Sequence, residues 1–391
     1  MISINYLLKV KNDGKDQRIG LDARPLSTRV SGVGRLIAET LKAFPHKEEY
    51  DFFLFSHLPI HEDHKAVLDL PNVSFVPGGG FLKWKGGLYY NLYIPLYLLK
   101  NRLDLFWGSQ QVLPPFLPRS LRAVLTYCDL VLYLYPETMR WIAKIQQRLF
   151  QSYSVRRSSF ILSISKQTSD DMCRKFGYPE DQTGVSYPGV NQTEMTKLLE
   201  TKVSVRVKDL GTDFLLSVST IEPRKNYPFL LNVFREYRKL DPHHYRPWVI
   251  VGKIGWESPE FIEELLQERA LYKDIYILDS VSDSELQHLY KRAGLFAFAS
   301  KYEGFGIPMV EAIFHGLHCI VSDIPTFHEI GKDGVTYLPY HTKEDAKLWA
   351  EAIKKFFEHP TQQQLSIDEF TWEKAAKITE EVFRKVLEEG E

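Results

Sequence analysis

The sequence has few cysteines, no long apolar run and almost no net charge, and each absence excludes a class of protein. Its three cysteines, Cys128, Cys173 and Cys319, form no Cys-x-x-Cys pair, which argues against a disulfide framework or a thiolate zinc site. The apolar runs stop well short of the ~20 residues of a membrane-spanning helix. The formal net charge of −1 lacks the basic excess of a nucleic-acid binder. Residues 1–9 also lack the pattern of a signal peptide, so we expect a cytoplasmic protein without nucleic acid or metal.

The length of 391 residues exceeds what one hydrophobic core usually supports, so two domains are expected. Short apolar runs alternate with helical patterns, which is typical of βαβ units with parallel strands. We predict strands near 18–22, 51–56, 73–76, 103–107, 123–127 and 160–163, and then near 214–219, 247–252, 275–278, 295–299, 319–322 and 336–338. Helices are predicted at 35–44, 88–99, 138–157, 166–176, 227–240 and 372–387.

Turn residues and charges accumulate between 185 and 214, which places the domain boundary there. We predict a first domain at 1–190, a second domain at 191–371 and a last helix at 372–391. Ligands of open α/β sheets bind beyond the carboxyl ends of strands, so the loops after the predicted strands are the candidate sites.

The most informative of these loops lies between a buried apolar run at 295–299 and a helix that Pro308 starts. Gly304, Phe305 and Gly306 form a Gly-x-Gly turn there, whose backbone N–H groups can approach phosphate or sugar oxygens closely. Glu303 and Glu311 flank the turn, and each can accept hydrogen bonds from paired hydroxyls. The pattern predicts a site for a polyhydroxylated ligand that also carries an anion.

A second loop, 219–226, follows the first predicted strand of the second domain and contains Thr220, Glu222, Arg224 and Lys225. Two adjacent cations before a helix break a local rule, because a helix N-terminus favours anions. One interpretation is a diphosphate site in which the cations replace a magnesium ion. The other is a solvated loop whose cations pair with Glu222. Together with the 303–311 loop, the diphosphate site is favoured.

Two further loops of the second domain carry weaker signals. Gly252 and Lys253 follow the predicted strand 247–252, where glycines admit a nucleotide or serve as ordinary turn residues. Val281 precedes Asp283, which is predicted to cap a helix. Contact with a nucleotide base is the functional alternative for both loops.

In the first domain, Ser31, Gly32 and Gly34 precede a helix, but Ile37 occupies the place of the third glycine of a dinucleotide fingerprint. A nicotinamide-dependent oxidoreductase is therefore disfavoured. A loop that closes over a ligand and a simple helix-entry turn are the two remaining interpretations.

Cys128 and Asp129 follow the predicted strand 123–127. Cys128 has no histidine nearby in sequence to activate it, so a small, partly buried cysteine is favoured over a reactive thiolate.

Two stretches combine basic and aromatic residues, at 81–102 and at 140–157. Each either rests on an anionic membrane surface or is an ordinary helix with a core face and a solvated basic face.

Taken together, these motifs resemble the retaining glycosyltransferases of family 4 over most of the chain. The resemblance rests on the E-x7-E spacing of Glu303 and Glu311, and on the segments 222–226, 251–256, 163–166, 31–35 and 372–376. It implies an α/β GT-B fold: two Rossmann-like, doubly wound parallel-sheet domains face a central cleft, and the C-terminal helix crosses back to the first domain.

The resemblance also implies the role of individual residues. Glu311 would hold the ribose hydroxyls, Glu303 the donor sugar, and Arg224 and Lys225 the diphosphate. The donor-binding set would be Gly34, Ser165, Thr220, Gly252, Lys253, Val281, Gly304, Phe305, Gly306 and Glu311, and the catalytic set Glu303, Arg224, Lys225, Cys128 and Asp129. The substrates would be a GDP-, UDP- or dTDP-linked hexose, with mannose or rhamnose favoured, and a polysaccharide or lipid-linked glycan acceptor at the inner membrane face. No further cofactor is implied.

Cys128 departs from the family, which commonly carries a histidine there, against the donor sugar. This departure supports an alternative hypothesis, a transfer-deficient GT-B subunit that binds nucleotide sugar or a partner glycosyltransferase. The intact donor-side motifs favour an active transferase.

Overall fold

The computed structural model describes residues 17–29, 32–78, 81, 85–135, 150–201, 203–360 and 366–389. Several sequence expectations lie outside these residues: the N-terminal segment 1–9, Ser31, the part of the first basic stretch at 82–84, and residues 138–149 of a predicted helix and the second basic stretch.

The first sheet has seven strands, β1 to β7. Their bounds are Gln17–Asp22, Tyr50–Ser56, Val73–Pro77, Leu105–Gly108, Arg122–Tyr127, Phe160–Ser163 and Thr183–Val185. Six of them were predicted; β7 has only three residues and no apolar run that would indicate it. The strand order is β3-β2-β1-β4-β5-β6-β7. β1 pairs in parallel with both β2 and β4, so the strands that follow β3 lie on the other side of β1. Strands β4 and β6 are buried at every residue, as expected for strands with helices on both faces.

The second sheet has six strands, β8 to β13. Their bounds are Leu215–Val218, Trp248–Val251, Ile275–Leu278, Leu295–Phe298, His318–Ser322 and Thr336–Leu338. The strand order is β10-β9-β8-β11-β12-β13, and neighbouring strands pair in parallel. All six were predicted. The two sheets with their flanking helices confirm the α/β class with doubly wound parallel sheets.

The described helices begin with Gly32–Ala43 and a continuous helical stretch made of Gly86–Leu88, Tyr89–Tyr93 and Ile94–Lys100, whose middle part is a π-helix. The others are Val131–Leu134, Lys166–Phe176, Gln192–Leu198, Val205–Lys208, Tyr227–Leu240, Pro259–Tyr272, Asp283–Arg292, Ile307–Phe314, Pro325–Gly331, Lys343–Glu358 and Trp372–Glu388. Within the described residues, no helix is long and apolar enough to cross a membrane.

Several helix starts differ from the sequence prediction, and one of them is the stretch predicted at 88–99, which begins at Gly86. The first helix already begins at Gly32, so Gly32 and Gly34 form its first turn, which agrees with the helix-entry interpretation and not with the loop. Buried Leu36 and Ile37 anchor that turn and outweigh the low helix propensity of the glycines. In the helix Asp283–Arg292, Ser282 rather than Asp283 is the cap, because it forms a reciprocal capping box with Glu285.

The chain folds into two compact units. The first comprises the described residues of Met1–Thr126, Phe150–Leu162 and Ala376–Glu391, and the second those of Tyr127–Leu149 and Ser163–Ala375. Within the first unit, Phe383 of the last helix is buried against Phe44 and Trp107, with ring centroids 5.9 and 5.6 Å apart. The domain limits 1–190, 191–371 and 372–391 stay a prediction.

The helical stretch over 86–100 does not have the solvated basic face that was one interpretation of the sequence. Its inward side chains, Tyr89, Tyr90, Ile94 and Leu98, are buried in the first unit. Its outward side chains are mainly leucines, and the exposed cations Lys85 and Lys100 lie at its two ends.

Candidate functional site

Strands β8 and β11 are neighbours at the point where the strand order of the second sheet reverses. The loop after β8 carries Arg224 and Lys225, and the loop after β11 carries Glu303. Lys301 donates its backbone N–H to the carbonyl of Arg224 over 2.9 Å, which ties the two loops together. Ligands of doubly wound sheets bind at this crevice, so the fold brings both predicted motifs to one place.

Glu303 is the centre of this place, because its carboxylate is shared by two cations. Its Oε2 accepts from Nη1 of Arg224 over 2.7 Å, and its Oε1 accepts from Nζ of Lys225. Ser300 also donates its hydroxyl to Oε1, over 2.6 Å. Only 7% of Glu303 and 9% of Lys225 are exposed, so these charges interact with little screening by water.

Ion pairing and burial act on the pKa of these groups in opposite directions: pairing prevails for Glu303 and Arg224, and burial prevails for Lys225 and Glu222. Burial would raise the pKa of Glu303, but Arg224 and Lys225 outweigh it and lower that pKa to about 2. Burial lowers the pKa of Lys225 and Arg224 adds to this effect, while Glu303 opposes it. Although burial opposes it, the carboxylates of Glu303, Glu222 and Asp129 raise the pKa of Arg224. Glu303 is therefore ionised at neutral pH, and Arg224 is charged.

Glu222 accepts from Nη2 of Arg224 over 2.8 Å, as one interpretation of this loop expected. The loop is nevertheless not solvated, because Glu222 is buried and only 19% of the Arg224 side chain is exposed. Two carboxylates and two cations thus form a compact group with no formal net charge, which we call the charge quartet: Glu222, Arg224, Lys225 and Glu303.

The Gly-x-Gly turn lies directly beside the charge quartet. A Cβ on Gly304 would stand 1.9 Å from the carbonyl oxygen of Cys128, so only glycine fits there. Gly306 has a φ of 105° and is the N-cap of the helix Ile307–Phe314, in which Pro308 is the second residue. Among the described residues, no group accepts a hydrogen bond from the backbone N–H groups of Gly304, Phe305 or Gly306. The side chain of Phe305 packs on Phe370, so only its backbone faces this loop.

Cys128 and Asp129 belong to the same unit and lie close to the turn. Burial, and then the charge of Asp129, raises the pKa of the Cys128 thiol, so it stays protonated at neutral pH. This agrees with an unreactive cysteine and not with a nucleophile. Asp129 accepts from the backbone N–H of Val131 over 3.1 Å at the start of a short helix, and its charge also acts on Arg224.

Glu311 lies on the helix after the turn and is almost fully buried. Its Oε2 accepts from the hydroxyl of Tyr290, which is also buried, over 3.0 Å. The ring of His315 stacks on Tyr290, with centroids 5.6 Å apart. Burial, and then Lys291, lowers the pKa of His315 to about 4, so this ring is neutral at pH 7. Tyr290, which donates to Glu311, thus packs against a neutral ring.

The remaining predicted donor residues are dispersed, and their donor contacts stay predictions. Gly252 has a φ of 150°, and a Cβ there would stand 2.0 Å from the carbonyl oxygen of Ser219. Glycine at this position therefore lets the loop after β9 pass close to the loop that contains Thr220. Ser165 is buried and caps the helix Lys166–Phe176 through a bond to the backbone N–H of Thr168. Lys253 is exposed, Thr220 and Val281 are half-buried, and Gly34 is buried in the first unit.

The sequence analysis missed two residues of this site, Ser300 and Tyr290. Ser300 stands three residues before Glu303, a Ser-x-x-Glu spacing that predicts a local hydrogen bond but usually indicates a helix cap. Tyr290 is 21 residues from Glu311 and contacts it only through the tertiary fold, so no local pattern announces it.

Comparisons with known proteins identify the family models and relatives that this chain matches. The family model "Glycosyl transferases group 1" matches residues 200–374, and the model "Glycosyltransferase Family 4" matches residues 30–194. The two adjacent matches together span most of the chain.

Among curated proteins, the chain is 26% identical over 271 residues to the O-antigen chain mannosyltransferase RfbU of Salmonella typhimurium, covering 68% of this chain and 71% of that protein. It is 33% identical over 164 residues to the serotype-specific mannosyltransferase WbdA of Escherichia coli, covering 42% of this chain and 20% of WbdA. Among solved structures, Anabaena HepE in complex with UDP-glucose superimposes with a TM-score of 0.62 at 16% identity, over 96% of this chain and 98% of HepE. These likenesses confirm the expected GT-B fold class.

The charge quartet predicts a specific acid dependence of stability. The folded pKa of Glu303 is about 2 against 4.5 for a free side chain, so its stabilising contribution is full above pH 4.5 and is lost as pH falls towards 2. That contribution is about 3 kcal/mol of unfolding free energy. Denaturant titrations at pH 6 and pH 3 should therefore show that the stability difference between the wild type and Glu303→Gln shrinks at the lower pH.

The matched control is Glu351→Gln, which changes an exposed carboxylate on the helix Lys343–Glu358. If the difference between wild type and Glu303→Gln were the same at both pH values, Glu303 would not be ion-paired in the folded protein.

The contact of Gly304 with the Cys128 carbonyl predicts that Gly304→Ala lowers the unfolding free energy by about 3 kcal/mol, because the backbone must move to admit a methyl group. Gly87→Ala is the control, since a Cβ there has no atom within 4 Å. Equal denaturation midpoints for Gly304→Ala and the wild type would contradict the close approach of the two loops.

Proposed function

Because the chain belongs to glycosyltransferase family 4, we propose that it transfers mannose, with retention, from a nucleoside-diphosphate sugar to a polysaccharide or lipid-linked glycan. The observation that carries this proposal is the charge quartet at the switch point of the second sheet. The mannosyltransferases RfbU and WbdA support mannose as the sugar.

In this proposal, Arg224 and Lys225 bind the diphosphate and no metal ion is needed. Without donor, Glu303 pairs with both cations and Glu222 pairs with Arg224, so the cations are held in a group of no formal net charge. The incoming diphosphate takes over hydrogen bonds from the two cations. The Glu303 carboxylate is then free to accept hydrogen bonds from sugar hydroxyls.

The Gly-x-Gly turn and Glu311 hold the rest of the donor. Backbone N–H groups of Gly304, Phe305 and Gly306 face the sugar and phosphate oxygens, where glycine allows a close approach. Glu311 accepts hydrogen bonds from the ribose hydroxyls, and Tyr290 orients its carboxylate. Thr220, Gly252, Lys253 and Val281 lie on loops that the base approaches.

During the reaction, the bond from the sugar C1 to the diphosphate oxygen breaks and an acceptor hydroxyl oxygen bonds to C1. The nucleoside diphosphate leaves with the electron pair, and Arg224 and Lys225 neutralise the negative charge that develops on it. The hydroxyl gives its proton to the diphosphate oxygen that leaves C1, so the step balances. Catalysis in the cytoplasm at the inner membrane face is part of this proposal, since a lipid-linked acceptor is located there.

Cys128 supports a second candidate function, a subunit that binds the donor without transferring sugar. Its protonated thiol offers neither the charge nor the geometry of the histidine that the family commonly has there. Turnover decides between the two candidates.

Replacing Arg224 by alanine should lower kcat by about a hundred- to a thousandfold, because a preorganised donor to the leaving group is lost. The measurement is sugar transfer from GDP-mannose, dTDP-rhamnose and UDP-hexoses to a glycan acceptor. Arg269→Ala, an exposed arginine in the same unit, should leave the rate unchanged.

Unimpaired transfer by Arg224→Ala would show that the diphosphate binds elsewhere. A wild type that is stabilised by a nucleoside diphosphate but transfers no sugar from any donor would favour the second candidate.

Replacing Tyr290 by phenylalanine removes the hydroxyl that donates to Glu311 and keeps the ring in the core. We expect the KM for the donor to rise by about fivefold, the value of one hydrogen bond, with kcat unchanged because the ribose is remote from the breaking bond. Tyr276→Phe changes a more exposed tyrosine and should alter neither constant. An unchanged KM in Tyr290→Phe would show that Glu311 does not bind the donor.

A further inference from the structure

The outward side of the helical stretch 86–100 is largely apolar. Leu88, Leu92, Leu96 and Leu99 are exposed by 44%, 56%, 48% and 64%. Their spacing of three and four residues places them on one side of the helix, which we call the leucine face. Among the described residues, no other helix exposes four leucines.

This surface is unusual for a helix in contact with water. The helix Lys343–Glu358 shows the ordinary pattern, since its exposed positions include Lys347, Glu351 and Lys355. Exposed apolar side chains that are contiguous, rather than scattered, mark a surface that contacts something else.

The charges around the leucine face indicate what contacts it. Lys85 is exposed at one end of the helix, and Lys100 and Arg102 are exposed at the other. The sequence has no acidic residue between Asp69 and Asp104. An apolar strip with cations at both ends and no carboxylate on the helix itself fits an anionic lipid surface, where acyl chains meet phosphate headgroups.

We propose that the leucine face docks on an anionic lipid bilayer, with the helix lying in the plane of the interface. The leucines enter the acyl boundary, and Lys85, Lys100 and Arg102 contact lipid phosphates. The proposal rests on the proposed function in one respect: a transferase with a lipid-linked acceptor gains from being held where that acceptor is. The docking itself requires no donor and no turnover.

Flotation of the full-length chain with vesicles tests the proposal. The wild type should bind vesicles of phosphatidylcholine with phosphatidylglycerol and bind much less to phosphatidylcholine alone. Leu92→Gln/Leu96→Gln should weaken binding roughly tenfold or more, because apolar area no longer enters the bilayer. Lys100→Gln/Arg102→Gln should weaken it by about fivefold per cation removed, and only on anionic vesicles.

The matched control is Leu266→Gln/Leu271→Gln, which changes two exposed leucines of the helix Pro259–Tyr272 and should leave vesicle binding unchanged. Melting temperatures of all variants should equal that of the wild type, since these side chains are exposed. Stabilisation by a nucleoside diphosphate should also persist in every variant, so a failed docking proposal is distinguishable from a failed donor site.

Three results would overturn the proposal. One is vesicle binding that is absent or insensitive to Leu92→Gln/Leu96→Gln. Another is a lower melting temperature of that variant, which would show that another part of this chain covers the leucine face. The third is a wild-type dimer that the variant converts to a monomer, which would assign the face to a second copy.

Discussion

The site depends on one carboxylate that two buried cations share. Placing Arg224 and Lys225 side by side away from water would be costly unless a counter-charge lay between them, and Glu303 supplies it. The carboxylate and the cations come from the loops after β11 and β8, so the ion pairs form only when these two strands are neighbours. The arrangement therefore links the folding of the second sheet to the assembly of the site.

The same interaction explains how the site, without donor, keeps its two cations in position to bind a diphosphate. With Glu222 and Glu303 opposite Arg224 and Lys225, the formal charges of the group cancel. Each cation has a carboxylate partner that holds it in place. Diphosphate oxygens can then replace the carboxylate oxygens as hydrogen-bond acceptors without a large movement of the Arg224 and Lys225 side chains. The close approach of Gly304 to the Cys128 carbonyl brings two loops together, and the buried hydrogen bond from Tyr290 to Glu311 joins two helices.

Local patterns in the sequence predict much of this structure. The apolar run of β11 and the helix Tyr227–Leu240 are visible as periodicity, and the motifs at 222–226 and 303–311 are local in sequence. The partners of Glu303 and Glu311 depend on which strands pair, so the charge quartet and Tyr290 require the fold. The leucine face could not be predicted from the sequence either. A helix that is apolar on both sides has no hydrophobic periodicity that distinguishes its buried side from its exposed side.

The most direct test of the account compares a nucleoside diphosphate with the monophosphate of the same base, by thermal shift in the presence of a metal chelator. Stabilisation at equal concentration follows from binding to the folded state. If Arg224 and Lys225 bind the diphosphate without a metal, the diphosphate should raise the melting temperature well above the monophosphate. Equal shifts for both nucleotides, or a shift that the chelator abolishes, would contradict the account.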